Sequence, residues 1–219
     1  MTIRHHLDEA TLLAYAAGSL NEAFSVVAAA HLAQCPSCRA SVRRAEALGG
    51  QLMEGETAVP VSEAARARMM AQLNVVTALP AQPVSRKTAN PETPGPLARL
   101  LGGAGLDDIR WRSLAPGLAV HDLPLSPAGR GQLRLLRIGA GRAMPEHGHG
   151  GEEITLVLRG AYHDHMGEFR AGDVADLDES VEHSPVVTKD GPCICLIAME
   201  APTRMKGFLP RLLQPWFGF

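Results

Sequence analysis

The stretch GRAMPEHGHGGEE, residues 141–153, decides how the second half of the chain folds. His147 and His149 are two residues apart, and side chains two apart on an extended strand point to the same face. Glu153 follows a Gly-Gly turn and can return toward the same point, and a later strand supplies His183. Imidazole and carboxylate groups that converge in this way are typical ligands of transition metals. The stretch therefore predicts a metal site built on β-strands.

Short apolar segments surround this stretch and have the length and composition of strands. They are rich in β-branched and aliphatic residues, and turns containing Gly, Pro and Asp separate them. The clearest are residues 133–138, 154–158 and 194–198. This rhythm predicts an antiparallel β-sandwich or barrel.

The spacing from Gly141 to Gly160, G-x5-H-x-H-x3-E-x6-G, resembles the first motif of the cupin family at every fixed position. Gly172-Asp173 and the later His183 resemble the second cupin motif, although Arg170 stands in place of its usual proline and its downstream Asn is missing. The resemblance implies a cupin domain that holds zinc or another divalent transition metal. The proposed ligands are His147, His149, Glu153 and His183, with Glu152 as the alternative carboxylate.

A proline-rich segment separates this part of the chain from the part before it. Five prolines lie between residues 80 and 96. Prolines at this density cannot continue a helix or a central strand, so we expect an extended, semi-stiff linker. The sequence therefore predicts an α+β multidomain protein: a helical domain over residues 1–79, a linker over 80–96 and a cupin domain over 97–219.

Helical patterns fill the part before the linker. We expect a first helix over residues 8–17, ended by a glycine, and a second that starts at a capping box over Ser19–Glu22. A third helix should begin at Pro36 and end before Gly49-Gly50, and a fourth should begin near Ser62. These short helices predict a small unit with a thin core.

A second group of metal ligands lies within these helices. His31, Cys35 and Cys38 have the spacing H-x3-C-x2-C, in which the first two side chains lie one helical turn apart. Thiolate and imidazole groups suit zinc, which requires four ligands in a tetrahedron. The fourth ligand must come from elsewhere, and spacing alone leaves His5 and His6 as equal candidates. A redox-active Cys-x-x-Cys pair is the alternative, but no βαβ context surrounds these cysteines.

An N-terminal histidine followed by H-x3-C-x2-C in a small helical domain resembles the zinc-binding anti-sigma factors. The resemblance implies that His6 joins His31, Cys35 and Cys38 around zinc. A cupin domain in the same chain narrows the resemblance to the ChrR-type anti-sigma factors. It implies that the helical domain sequesters an extracytoplasmic-function-type (ECF-type) sigma factor and so regulates transcription. It also implies that the cupin domain releases this partner in response to singlet oxygen and oxidative stress.

Composition excludes other classes of protein. The 219 residues carry 21 Lys and Arg against 23 Asp and Glu, a net charge of −2, so we expect no direct nucleic-acid binding through a broad basic face. No apolar run reaches the length of a membrane helix, and the N-terminus lacks the apolar core of a signal peptide. We therefore expect a cytoplasmic protein without a membrane partner.

An enzyme is the competing interpretation of the cupin domain. A site with three histidines and one glutamate could hold Fe(II), Mn(II) or Ni(II) and support a metal-dependent oxygenase or isomerase. The sequence identifies neither a substrate pocket nor an acid/base pair, so we expect a protein that is not an enzyme.

We expect His163 and His165 on a solvent-facing hairpin. Cys193 and Cys195 should form a buried pair of small hydrophobic residues, and an oxidisable pair beside the cupin cavity is the alternative.

Overall fold

The computed structural model of the protein describes residues 2–74 and 90–205. A helical N-terminal region precedes an antiparallel β-structure, so the predicted fold class is confirmed. The helices are α1 (Glu9–Ala16), α2 (Glu22–Leu32), α3 (Pro36–Glu54), α4 (Glu63–Asn74) and α5 (Gly95–Leu100), with a 3-10 turn at Leu106–Asp108. No helix in the described ranges combines the length and apolarity that crossing a bilayer requires.

Twelve strands follow in the described part of the chain. They are β1 (Arg112–Ala115), β2 (Leu118–Asp122), β3 (Gln132–Ile138), β4 (His147–Gly148), β5 (Glu153–Arg159), β6 (Ala161–Asp164), β7 (Gly167–Arg170), β8 (Val174–Leu177), β9 (Glu182–His183), β10 (Val186–Val187), β11 (Cys193–Met199) and β12 (Arg204–Met205).

The strands form three antiparallel sheets, which together make the sandwich that the sequence predicts. The largest has the order β1-β2-β3-β11-β5-β8, and the smaller ones have the orders β10-β6-β7 and β12-β4-β9. Gly160 turns the chain from β5 into β6 with a φ of 77°. A Cβ atom there would lie 2.5 Å from the carbonyl oxygen of Pro192, so the last glycine of the 141–160 spacing is required by its surroundings.

Asn21 caps the N-terminus of α2, because its side-chain oxygen accepts a hydrogen bond from the Phe24 amide at 3.1 Å. The expected capping box is therefore wrong. The Ser19 hydroxyl donates to a carbonyl at the end of α1, and the Glu22 carboxylate accepts a hydrogen bond from the Ser126 amide. Asn21 directly precedes the helix and reaches its third amide, which is the usual geometry of a cap.

Helix α3 does not end at Gly49-Gly50, where the sequence predicts its end, but continues to Glu54. Neither glycine adopts the positive φ of a helix-terminating residue. The helical hydrogen-bonding pattern therefore continues through both glycines. Each glycine lowers helix stability by about 1 kcal/mol relative to alanine.

Strand β11 is buried on both faces and joins the helical and β regions. Ile194, Leu196 and Ala198 belong to a cluster that also contains Phe24 and Val27 of α2. The alternate side chains lie in a second cluster inside the sandwich; they are Cys193, Cys195, Ile197 and Met199. The sequence indicates two units joined by the linker, whereas the structure adds a hydrophobic core that they share.

Part of the predicted linker packs against this sheet. Its residues 80–89 lie outside the described residues, and residues 90–96 form a turn and the first residues of α5. Arg159 at the end of β5 forms ion pairs with Glu92 and with Asp107, each at 2.6 Å. The C-terminal end of the proline-rich segment is therefore held against the cupin sheet.

The shared core predicts that a mutation in α2 destabilises the whole protein. Phe24 is 1% exposed, so Phe24→Ala should lower the free energy of unfolding by about 3–5 kcal/mol, measured by urea denaturation followed by circular dichroism. Leu13→Ala is the control: that side chain is 55% exposed, and we expect a change within about 0.5 kcal/mol. A loss below about 1 kcal/mol for Phe24→Ala would contradict the shared core.

Candidate metal centres

The first centre brings together His6, His31, Cys35 and Cys38, whose donor atoms all lie within 4.8 Å of one another. The Sγ of Cys35 lies 3.3 Å and that of Cys38 lies 3.5 Å from the Nδ1 of His6, and the His31 Nε2 lies 3.3 Å from the Cys38 Sγ. A sulfur and a nitrogen that share a tetrahedral zinc ion are about 3.5 Å apart, given bonds of about 2.3 and 2.0 Å. The four side chains can therefore bind one metal ion.

Three segments deliver these ligands. His6 lies in the extended chain before α1, His31 lies in the last turn of α2, and Cys35 and Cys38 flank the start of α3. Cys35 is the N-cap of α3, and its Sγ accepts a hydrogen bond from the Cys38 amide at 3.4 Å. A helix N-terminus favours negative charge, so a metal-bound thiolate suits this position. Only His6 is exposed, while the other three ligands are buried.

The protonation of these groups fits metal binding. The Nδ1 of His31 donates to the carbonyl oxygen of Gly172 at 3.0 Å, which leaves the Nε2 lone pair directed at the cysteines. Burial lowers the pKa of His31 to about 4, so the ring stays neutral as a ligand must. Burial raises the pKa of the Cys38 thiol to about 11, and a bound dication would supply the charge that makes this group a thiolate.

His5, the other candidate for the fourth ligand, lies outside this centre. Its ring stacks on Phe169 with centroids 4.1 Å apart, and its Nε2 lies 3.1 Å from the carbonyl oxygen of Glu168. His5 therefore contacts the cupin hairpin, whereas the next residue, His6, points toward the cysteines.

The second centre brings together His147, His149 and His183, whose donor atoms also lie within 4.8 Å of one another. His147 on β4 pairs with His183 on β9, so the sheet register itself places the two rings side by side. Their Nε2 atoms are 3.1 Å apart, close to the roughly 3.3 Å that separates two nitrogens on a tetrahedral zinc ion. All three rings are buried.

The hydrogen bonds around these rings leave a place for a cation. The Nδ1 of His147 donates to the Pro145 carbonyl oxygen at 2.9 Å, and the Nδ1 of His183 lies 3.0 Å from an Asp164 carboxylate oxygen. With the protons on Nδ1, both Nε2 atoms present lone pairs to each other, and a cation between them would relieve this repulsion. Neither ring nitrogen of His149 has a hydrogen-bond partner among the described residues. An ion would satisfy the buried Nε2, since Glu153 lies near the Nδ1 only.

Glu153 lies at the edge of this second centre. One of its oxygens is 3.2 Å from the Nδ1 of His149, without hydrogen-bond geometry, and the other accepts a hydrogen bond from the Thr155 hydroxyl at 3.0 Å. Burial opposes its charge, yet the neighbouring imidazoles, His149 first, hold its pKa below the ordinary value. Glu152, the alternative carboxylate, is exposed. Glu153 is therefore the carboxylate nearest to the three imidazoles.

A small cavity of about 60 Å³ opens beside these rings, inside the sandwich. His147, His183 and Glu153 form one wall, and apolar side chains form most of the remainder. Three lining residues contain sulfur, and these are Met144, Cys195 and Met199. The cavity could admit only a very small molecule next to the metal ligands.

The structure also places the other residues that the sequence singled out. His163 and His165 are exposed on the β6–β7 hairpin, as expected. Cys193 and Cys195 are free, buried thiols whose Sγ atoms lie 3.6 Å apart, which fits the expected buried pair. Asp164, which holds His183, was missed, although strand alternation places it on the face opposite to its two histidine neighbours.

Comparisons with known proteins cover nearly the whole chain. The ChrR cupin-like domain family matches residues 103–202. The anti-sigma-E factor ChrR of Cereibacter sphaeroides is 48% identical over 217 residues, which cover 99% of each chain. A chain in the crystal structure of Rhodobacter sphaeroides SigE in complex with the anti-sigma ChrR is 44% identical. It superposes with a TM-score of 0.78 over 90% of this chain and 99% of that chain. The protein therefore belongs to the ChrR family of anti-sigma factors.

Proposed function

We propose that the protein sequesters an ECF-type sigma factor through its helical region and releases it when the cupin domain responds to oxidative stress. The observation that carries this proposal is the similarity to an anti-sigma factor along 99% of the chain. The relative of known structure was crystallised with a sigma factor, SigE. The partner would act with RNA polymerase, so we place the protein in the cytoplasm.

An exposed apolar surface on α3 and α4 supports binding of a protein partner. We define this surface as Leu48, Leu52, Met53, Met69, Met70 and Leu73, each between 54% and 72% exposed. Single exposed apolar residues are common, whereas a group of six on two helices is typical of an interaction site. The extension of α3 beyond Gly49-Gly50 presents two of these six residues, Leu52 and Met53. We infer that a sigma factor covers it.

We infer that zinc occupies the first centre. Two thiolates and two imidazoles in a closed, mostly buried tetrahedron are typical of a structural zinc site. The short helices around it gain stability from such an ion, because binding energy in these sites contributes directly to folding. For the cupin centre, the imidazole and carboxylate donors fit zinc or another divalent transition metal.

We further propose that the cupin centre senses singlet oxygen or a related oxidant. The cavity beside it has the size for a very small molecule, and thiol and thioether groups in its wall are open to oxidation. The competing interpretation, a metal-dependent oxygenase or isomerase, gains no support from the comparisons, because the relative that matches the full chain is an anti-sigma factor.

Mutations in the apolar surface should weaken partner binding. Leu52→Glu combined with Met69→Glu should lower the affinity for the sigma factor at least about tenfold, because a charge replaces an apolar side chain that the complex would bury. Surface plasmon resonance with the purified sigma factor measures this change. Ala140→Glu, which adds the same charge at an exposed turn of the cupin, is the control. Unchanged affinity for the double variant would place the interface elsewhere.

Removal of a zinc ligand should remove zinc and partner binding together. Cys38→Ala should lose about one metal ion per chain, measured by atomic emission, and should no longer co-purify with the sigma factor. Cys193→Ala is the matched control, because it removes a buried thiol on a distant strand and should retain both properties. Binding that persists without zinc would contradict a structural role for the ion.

Removal of a cupin ligand should separate sequestration from release. His147→Ala should bind the sigma factor normally but release less of it after illumination with a photosensitiser, as measured by gel filtration. His163→Ala, which removes an exposed histidine of the β6–β7 hairpin, should release it as the wild type does. Normal release by His147→Ala would exclude the cupin metal from the signalling path.

A further inference from the structure

The cupin domain contacts and orients ligands of the first metal centre. The ring of His31 donates from Nδ1 to the carbonyl oxygen of Gly172, a residue 141 positions further along the chain. Gly172 lies in the turn between β7 and β8 and has a φ of 91°, which favours glycine. A hydrogen bond to the second nitrogen of a metal-bound histidine fixes the orientation of its ring. The cupin backbone therefore orients one of the four ligands.

The next residue, Asp173, forms hydrogen bonds with the N-terminal segment that contains a second ligand, His6. One carboxylate oxygen accepts hydrogen bonds from the Arg4 amide at 2.6 Å and the His5 amide at 3.1 Å. The other oxygen accepts one from the Arg170 amide at 2.8 Å, and the side chain is only 1% exposed. The Val174 amide also donates to the His5 carbonyl. The chain is thus fixed immediately before His6.

The hairpin that leads into this turn also supports the second metal centre. Strands β6 and β7 pair along their whole length, from Ala161 opposite Arg170 to Asp164 opposite Gly167. Asp164, at the turn end of β6, holds the Nδ1 of His183. The opposite end of the hairpin runs through Arg170 into the Gly172–Asp173 turn. One two-stranded unit therefore supports ligands of both centres.

We propose that Asp173 is a positioning residue of the N-terminal metal centre, and that the β6–β7 hairpin couples this centre to the cupin centre. Displacement of the hairpin at the cupin metal would move the Gly172–Asp173 turn, and with it the orientation of His31 and the position of His6. A signal then passes through direct contacts and does not need the proline-rich segment. The regulatory meaning of this coupling rests on the proposed function, whereas the role of Asp173 in metal retention does not.

Asp173→Asn in the full-length, metal-loaded chain tests the positioning role. The substitution preserves size but replaces one of the two carboxylate oxygens with an amide nitrogen, which donates hydrogen bonds and cannot accept them. Release of zinc to a chromophoric chelator should be about tenfold faster, as expected for loss of a contact that orients metal ligands. Modification of Cys35 and Cys38 by iodoacetamide, located by peptide mass spectrometry, should accelerate in parallel. The cupin metal should be retained. Asp190→Asn, the same change at an exposed turn, should behave as the wild type.

Two results would overturn the positioning role. One is a rate of zinc release equal to that of the wild type. The other is loss of both metals together with a lowered melting temperature, because a general loss of stability would then explain the effect. Sigma-factor binding by the wild-type chain is measured in parallel. Failure of that binding would contradict the proposed function, while the zinc and thiol measurements would still decide the role of Asp173.

Asp164→Asn tests the coupling, because Asp164 contacts a ligand of the cupin centre and none of the four N-terminal ligands. Coupling through the hairpin should accelerate the modification of Cys35 and Cys38 about twofold or more. Glu168→Gln, which alters an exposed ion pair on the same hairpin, should leave the modification rate unchanged. Normal reactivity of the two thiols in Asp164→Asn, with a weakened cupin centre, would contradict coupling.

Discussion

Four side chains from three separate segments meet at one point in the helical region, and the arrangement of those segments depends on that meeting. The extended N-terminus, the end of α2 and the start of α3 also share one hydrophobic cluster, and hydrogen bonds to Asp173 hold the N-terminus. A metal ion would replace three weak contacts between short elements with four strong bonds. It would also fix the direction in which α3 leaves the centre and presents its apolar surface. Partner binding and metal binding are thus two consequences of the same geometry.

The second constraint is the burial of β11 on both faces. One face packs toward α2 and the other closes the inside of the sandwich, where the cupin ligands and the cavity lie. Because interiors are closely packed, a change inside the sandwich cannot be absorbed freely at the outer face. The helical region is therefore in mechanical contact with the cupin along a sheet face and at the Gly172–Asp173 turn. This arrangement suits a protein in which one region responds and the other binds.

Local spacing was sufficient to predict the fold class and most of the His and Cys side chains that the structure brings together in two groups. The H-x3-C-x2-C spacing and the 141–160 spacing each place side chains only a few residues apart, so local geometry restricts where they can lie. The same rules could not choose between His5 and His6, because both lie in extended chain without periodic contacts. The structure places only His6 beside the cysteines, because His5 stacks on Phe169.

Contacts between distant parts of the chain could not be predicted in this way. The bond from His31 to Gly172 joins a helix to a turn 141 residues away, and no local pattern encodes it. The course of α3 through Gly49-Gly50 depends on a modest energetic cost that spacing rules do not weigh. Strand alternation alone predicts that Asp164 faces inward, opposite to His163 and His165, but it does not predict that the carboxylate contacts His183.

Anomalous diffraction at the zinc absorption edge, from crystals of the full-length protein, tests the central claim most directly. The account predicts a strong zinc peak between His6, His31, Cys35 and Cys38, at bond lengths of about 2.0 Å to nitrogen and 2.3 Å to sulfur. It also predicts that the His31 ring still donates to Gly172. Absence of zinc between these side chains, with Cys35 and Cys38 joined as a disulfide, would contradict the account.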